Sequence, residues 1–467
     1  MAAEPVGNPL YAEIADPGSV VRFGEEIEAA NPSDWPGYQD QLRLARSASG
    51  ARHAVTTGVA TVGGEACVIV GFEFAFLGGS MGTAEGARIA RAFSVAVAER
   101  LPIVCVAASG GSRMQEGTSA LLQMQTVAAV IAAARQAGIP HIAVAGDPTT
   151  GGVWASLIAG ADVLISVPGA RVSFSGSRTR PADADCPSPE YLADGKWAHG
   201  FVDVLSPVPE LRAEVAAVVR LLSPRSRGDT PRPAPLPAWP ASDRATDTPP
   251  AADPWTHVSA ARSPRRASAD RWLAEYFWQR FEIRGDRCGG VDAGLRCGFG
   301  SHHGTTIAYV AQTGERTTPA GFRTATRLLR LAARLRLPVL TLIDTPGARA
   351  APADEAAGVG PAIAELFVAM ASSQVPVTSV VIGEGVSGGA LALASPTDLW
   401  IARDGYLAVT APELAVSILK LGARDTPQVA SWLRLTPSEL MSRGIVRGII
   451  APPAGNASIP GQAAEPR

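Results

Sequence analysis

A repeat constrains this chain more tightly than any single motif. Leu101-Pro102-Ile103-Val104 returns 236 residues later as Leu337-Pro338-Val339-Leu340, and self-similarity at a fixed distance signals copies of one folding unit. The register continues. Gly138-Ile139-Pro140 and the apolar Ile142-Ala143-Val144 correspond to Gln374-Val375-Pro376 and Ser379-Val380-Val381, and Asp162 corresponds to Asp398. Ahead of each first strand, Glu85 to Arg100 and Gly321 to Arg336 carry apolar residues at three- and four-residue spacing with arginines on the other face, which predicts amphipathic helices. Strand, helix and strand, repeated in that order, imply parallel strands with helical crossovers: two related α/β domains in tandem. A length of 467 residues agrees, because one core rarely absorbs more than about 250–300 residues.

The expected boundaries are a first domain over residues 1–222, a linker over 223–264, a second domain over 265–451 and a disordered tail over 452–467. Pro224 to Pro264 contains ten prolines, a composition that disfavours helix and central strand. A structured arm anchored by Trp239 and Trp255 is the alternative reading of that segment.

Hydrophobic residues make up 46% and charged residues 18%, with a formal net charge of −2. That balance offers no polycationic surface, so nucleic acid is not an expected partner. Of the 41 basic residues only Lys196 and Lys420 are lysines, which leaves few side chains able to act as a base by losing a proton near neutrality. Cys67, Cys105, Cys186, Cys288 and Cys297 are scattered without paired C-x-x-C spacing, so neither a disulfide framework nor a metal site is expected. The start, Met1-Ala-Ala-Glu-Pro-Val-Gly, lacks a basic and an apolar region, and no run of about 18 uninterrupted apolar residues follows. The expectation is a cytoplasmic protein without a membrane span.

Each half carries a glycine pair after its second strand, Gly151-Gly152 and Gly388-Gly389, the second copy having one extra residue. Each pair precedes an apolar helical run, Val153 to Ala161 and Ala390 to Ala394. Backbone N–H groups near a helix start suit a developing oxyanion, whereas the plain alternative is a tight turn needing positive φ. Two copies at equivalent places favour the chemical reading, in which two enolate-like oxygens are stabilised by preorganised donors. The six histidines pair with no motif serine or cysteine, and His302-His303 reads as a turn. Glu116 and Glu384 stand near the glycines as candidate bases, with solvated or helix-capping roles as the alternative.

These motifs resemble the carboxyltransferase component of bacterial acetyl-CoA carboxylase, with its β and α subunits fused in that order. The β-like half carries Phe72-Glu73-Phe74-Ala75-Phe76-Leu77-Gly78-Gly79-Ser80-Met81-Gly82, Ala108-Ser109-Gly110-Gly111-Ser112-Arg113-Met114-Gln115-Glu116-Gly117, and Asp147 to Gly152. The α-like half carries Arg284-Gly285-Asp286-Arg287, Ile343-Asp344-Thr345-Pro346-Gly347-Ala348, Gly383 to Leu391, and Thr410-Ala411-Pro412-Glu413 leading to Ser417-Ile418-Leu419. The resemblance implies two ClpP/crotonase-like domains in which carboxybiotin and an acyl-CoA thioester meet between a β-type and an α-type domain. It places the thioester enolate on the N–H groups of Gly151 and Gly152, and the ureido oxygen of biotin on those of Gly388, Gly389 and Ala390. Substrate-binding positions implied with them are Gly78, Gly79, Ser109, Gly110, Gly111, Arg113, Gly347 and Ala392.

The implied reaction moves CO2 from carboxybiotin to the α-carbon of a short acyl-CoA, acetyl-CoA giving malonyl-CoA, with biotin itself as the base. No biotinyl-lysine motif and no ATP-binding carboxylase region are present, so the implied partners are a separate biotin carboxyl carrier protein and a biotin carboxylase. A homo-oligomer is implied as well. The sequence departs from the family pattern in having no four-cysteine zinc ribbon and in reading Arg349-Ala350-Ala351-Pro352 after Gly347-Ala348. The competing functions are a biotin-independent decarboxylase or transcarboxylase of a malonyl-type thioester, and a non-catalytic scaffold that binds acyl-CoA or a carrier protein.

Overall fold

The computed structural model describes residues 9–176, 188–226, 230–237 and 253–453. It divides into two compact units, Met1–Arg227 with Ile283–Gly290, and Gly228–Glu282 with Val291–Arg467.

The first unit is built on an eight-stranded sheet. Its strands are β1 (Val21–Arg22), β2 (Val55–Val62), β3 (Glu65–Phe72), β4 (Ile103–Ser109), β5 (His141–Thr150), β6 (Val163–Ser166), β7 (Val172–Ser173) and β8 (Val204–Leu205). They lie in the order β1-β2-β3-β4-β5-β6-β8, with β7 paired to β5. The sheet is mixed: β1, β2 and β3 pair antiparallel, and β3 through β6 run parallel. The parallel strands carry continuous apolar runs, residues 103–107, 142–145 and 163–165, as expected where helices cover both faces. Ile103, Cys105, Ala143, Ala145 and Leu164 join one core with Ile89, Phe93, Val127 and Ile131 of the crossover helices. Burial pushes the Cys105 thiol up from its usual pKa, as befits a core side chain.

The crossover helix Thr83–Glu99 starts where Glu85 turns back to accept the Gly82 N–H at 3.0 Å, and stops at Arg100, which is left-handed at φ 52°. The next helix, Gly117–Gln136, continues from a 3-10 turn at Met114, and the combined segment is long and apolar enough to cross a bilayer by length and composition. Its buried Val127, Ile131 and Ala134 pack into the core of the first unit.

The second unit repeats this plan with β9 (Gln279–Ile283), β10 (Leu295–His302), β11 (Thr305–Gln312), β12 (Val339–Thr345), β13 (Val377–Val386), β14 (Leu399–Ala402), β15 (Tyr406–Ala408) and β16 (Ile449–Ile450). The order is β9-β10-β11-β12-β13-β14-β16, with β15 paired to β13. The sequence repeat holds at the level of single hydrogen-bonded partners. Ile103 pairs with His141 and Val339 with Val377; after a register shift in both, Ser109 pairs with Thr149 and Thr345 with Gly385. The helix Pro319–Arg334 matches Thr83–Glu99, and Arg336 at φ 54° matches Arg100.

Part of the segment expected to be a linker is ordered. Pro254–Ala261 is a helix with proline at its first position, where no N–H is needed, and Asp253 caps it by accepting from Trp255 and Thr256. Val258 and Ala261 pack with Val386 and Tyr406 in the second unit. Upstream, the Pro235 carbonyl accepts from Tyr276 at 2.8 Å. Residues 238–252, Trp239 among them, lie outside the described residues, as do Cys186 and, from residue 454, the expected disordered tail.

The motif Arg284-Gly285-Asp286-Arg287 departs from chain order, since Ile283–Gly290 belongs to the first unit. Asp203, whose side chain is fully buried, pairs with Arg287 at 2.6 Å and accepts the N–H groups of Leu164 and Arg284. Arg287→Met is expected to lower the stability of the first unit by about 2 kcal/mol, the cost of removing one charged partner from a carboxylate that keeps its N–H donors. Denaturant unfolding monitored in the first unit checks it.

Candidate functional site

In the first unit, the ends of β4 and β5 meet as backbone against backbone. Gly111 adopts φ +107° and Gly151 φ +60°. A Cβ on Gly111 would lie 3.3 Å from the Gly151 Cα and 3.5 Å from the Gly152 nitrogen, and a Cβ on Gly152 would lie 2.7 Å from Ser112 Oγ. At Gly111 a left-handed φ coincides with close backbone approach, and glycine meets both without strain. Ser109 fixes the loop: its Oγ donates to the Gly79 carbonyl at 2.7 Å and accepts the Gly111 N–H at 3.0 Å. Gly110 donates to the Gly78 carbonyl at 2.9 Å. Thr150, before the turn, makes no side-chain cap. The Gly151 N–H is bonded to the Phe174 carbonyl at 3.0 Å, and the following N–H groups begin a helical run that has no earlier acceptor for them.

The second unit repeats the construction at the same offset. Thr345 Oγ1 stands where Ser109 Oγ does, donating to the Glu315 carbonyl at 2.7 Å and accepting the Gly347 N–H at 3.2 Å. Gly347, at φ +117°, matches Gly111. A Cβ on Gly389 would lie 2.4 Å from the Ala348 nitrogen, whereas one on Gly388 would meet nothing within 4 Å. Val386, before the turn, makes no side-chain cap.

This register corrects the alignment of the two glycine pairs. β5 and β13 are both ten residues long, and the left-handed residue that opens the turn is Gly151 in one and Ser387, at φ +60°, in the other. Gly152 therefore corresponds to Gly388, and the second copy has no extra residue before the turn. Ser387 escaped the sequence reading; carrying the offset of 236 through the turn would have found it.

The structure gathers Gly78, Gly79, Ser109, Gly110, Gly111, Gly151 and Gly152 into one cradle, and Gly347, Gly388, Gly389 and Ala390 into the other. The Arg113 guanidinium is enclosed elsewhere. Its side chain is fully buried, paired with Glu85 at 3.0 Å and Glu116 at 3.5 Å, and it donates to Tyr38 Oη and to Ser80. Burial alone would lower its pKa, but Glu85, Tyr38 and Glu116 outweigh that and hold it up. Ala392 is likewise fully buried, its N–H donating to the Gly388 carbonyl, so its side chain supports the turn from below.

Neither candidate base is free. Glu116 is fully buried and accepts from Tyr38 Oη, Thr83 N–H and Thr83 Oγ1, each at 2.7 Å. Glu384 accepts from Arg262 Nε at 2.9 Å and from Tyr406. Beneath the second cradle Arg266 pairs with Asp344, whose pKa burial raises although Arg266 opposes the rise. Among the described residues no group of three or more His, Cys, Asp or Glu is placed to hold a metal ion. Both cradles thus offer backbone donors, a set that fits an oxyanion or a ureido oxygen.

The chain matches two family descriptions, a carboxyl transferase domain over residues 19–182 and an acetyl co-enzyme A carboxylase carboxyltransferase-like region over residues 242–465. It is 37% identical over 464 residues to the acetyl-coenzyme A carboxylase carboxyl transferase subunits beta/alpha of Salinispora tropica, covering 95% of this chain and 81% of that one. It is 32% identical over 448 residues to a probable biotin-dependent acyl-coenzyme A carboxylase beta3 subunit of Mycobacterium bovis, covering 94% and 88%. Among solved structures, the transcarboxylase 12S hexamer with hydrolysed methylmalonyl-coenzyme A superposes with a TM-score of 0.76 at 19% identity, covering 95% of this chain and 86% of that one. At that identity the likeness establishes the fold.

Proposed function

This chain belongs to the carboxyltransferase family of the biotin-dependent acyl-CoA carboxylases, and we propose that it moves a carboxyl group from carboxybiotin on a separate carrier protein to the α-carbon of a short acyl-CoA, acetyl-CoA giving malonyl-CoA. The observation that carries the reading is the duplicated cradle: two turns built to one pattern, each presenting backbone N–H groups, with the candidate carboxylates Glu116 and Glu384 both engaged by other partners. Carboxyl transfer to a thioester α-carbon has the same requirement, a thioester oxygen that becomes enolate-like and a ureido oxygen that gains charge as CO2 leaves.

In this reading the Gly152 N–H is the donor of the thioester cradle, Gly151 shaping the turn while its own N–H is held by the Phe174 carbonyl, and Gly78, Gly79, Ser109, Gly110 and Gly111 complete the walls. Gly388, Gly389 and Ala390 form the biotin cradle, with Gly347 packed against it. Carboxybiotin supplies the carboxyl group and, once decarboxylated, the base that takes the α-proton, which matches the engagement of Glu116 and Glu384 elsewhere. Both units are read as ClpP/crotonase-like, the chain as a cytoplasmic homo-oligomer, and its partners as a biotin carboxyl carrier protein and a biotin carboxylase.

The test is an assay of the purified chain with a carboxylated carrier and a panel of acyl-CoAs, with malonyl-CoA alone run in parallel. Biotin-dependent carboxylation, fastest with acetyl-CoA, is the expected result. Release of CO2 from malonyl-CoA without biotin would instead make the chain a decarboxylase, and silence in both arms a scaffold.

A further inference from the structure

The duplicated turn differs between its copies at the residue that opens it. Gly151 and Ser387 share φ +60°. A residue with a Cβ is strained in the left-handed region by on the order of 1 kcal/mol, and glycine is not. The first copy shows that glycine supports the same turn, so the backbone does not call for serine. The rest of the fold does not call for it either: Ser387 is exposed, and among the described residues its hydroxyl makes no hydrogen bond. It stands beside Gly388, above which the space is open. Strain kept at an exposed hydroxyl next to a cradle points to a ligand, because a purely structural position would relax to glycine.

We propose that Ser387 is a substrate-contacting residue of the second cradle, its hydroxyl hydrogen-bonding the carboxylated urea of the biotin substrate. This deepens the functional reading above and rests on it. The assignment makes the two cradles chemically unequal. The first offers N–H donors, which is what an enolate oxygen needs throughout. The second adds a group that both donates and accepts. Its substrate changes character in the reaction, presenting carboxylate oxygens before transfer and a ring N–H afterwards, and a hydroxyl meets either by rotating.

The experiment compares the wild-type chain with Ser387→Gly and Ser387→Ala in the direction from malonyl-CoA to biocytin, a free biotin derivative, alongside thermal unfolding. Ser387→Gly removes hydroxyl and strain together, whereas Ser387→Ala removes the hydroxyl alone. Both variants are expected to lose about tenfold or more in kcat/KM for biocytin, with KM for malonyl-CoA unchanged and the Ser387→Gly midpoint at or above wild type. A glycine variant as active as wild type, or a loss confined to the malonyl-CoA KM, overturns the assignment. A folded wild-type chain that carboxylates no biocytin overturns the functional reading, and the Ser387 assignment with it; that failure is separate because it shows before any variant is made.

Discussion

Replacing Gly389 by alanine is expected to cut carboxyl transfer by about 10²-fold or more, the loss seen when a preorganised oxyanion donor is displaced. The added Cβ would sit 2.4 Å from the Ala348 nitrogen and 2.8 Å from the Gly347 carbonyl carbon. Both are backbone atoms, so no flexible side chain absorbs the overlap. The turn must move away from the Gly347 loop, taking the donors of the second cradle with it. Gly388→Ala is the internal control for folding, because its Cβ meets nothing within 4 Å. Its thermal midpoint is expected to equal wild type, while that of Gly389→Ala falls. Single-turnover transfer at saturating substrates, with unfolding curves for both variants, measures the effect. Full turnover in a folded Gly389→Ala protein would remove the second cradle from the chemistry.

Arg113→Met is expected to destabilise the first unit by about 3–5 kcal/mol, the cost of stripping one partner from buried ion pairs. Glu85 and Glu116 are 1% and 0% exposed at their side chains, so neither can recruit solvent in place of the guanidinium. For a unit of this size the loss corresponds to a fall in midpoint on the order of 10 °C. Arg113→Lys should recover only part of it, since an ammonium cannot reproduce the guanidinium fork that reaches Glu85, Glu116, Tyr38 and Ser80 together. At a temperature where the variant stays folded, KM for acyl-CoA is expected to match wild type. A raised KM with unchanged stability would restore Arg113 to the substrate contacts.

The fold was legible because its strongest signal is redundant: apolar strands, helix periodicity and the LPIV/LPVL junctions all repeat at one offset, and their order of strand, helix and strand implies parallel pairing. The site was legible as far as its glycines. A Gly-Gly pair is conspicuous in a sequence, but which residue enters the left-handed region is decided by strand length and pairing. Residue type alone therefore aligns two glycine pairs that the β5 and β13 ladders set one residue apart, and gives no signal at Ser387. Arg113 misled for a related reason. It follows the glycine loop directly, whereas its partners Tyr38, Glu85 and Ser80 come from distant segments and declare themselves only through packing. The linker misled by count: ten prolines argue against helix, yet Asp253-Pro254 is a well-formed helix start.

The membership of Ile283–Gly290 in the first unit bears on how this chain could be divided. A break at residue 227 separates the units in sequence but leaves the first polypeptide without a strip of its own structure, with Asp203 buried and its arginine on the other piece. The two fragments would then act as a split protein: the N-terminal piece weakly folded alone and strengthened on mixing with its complement.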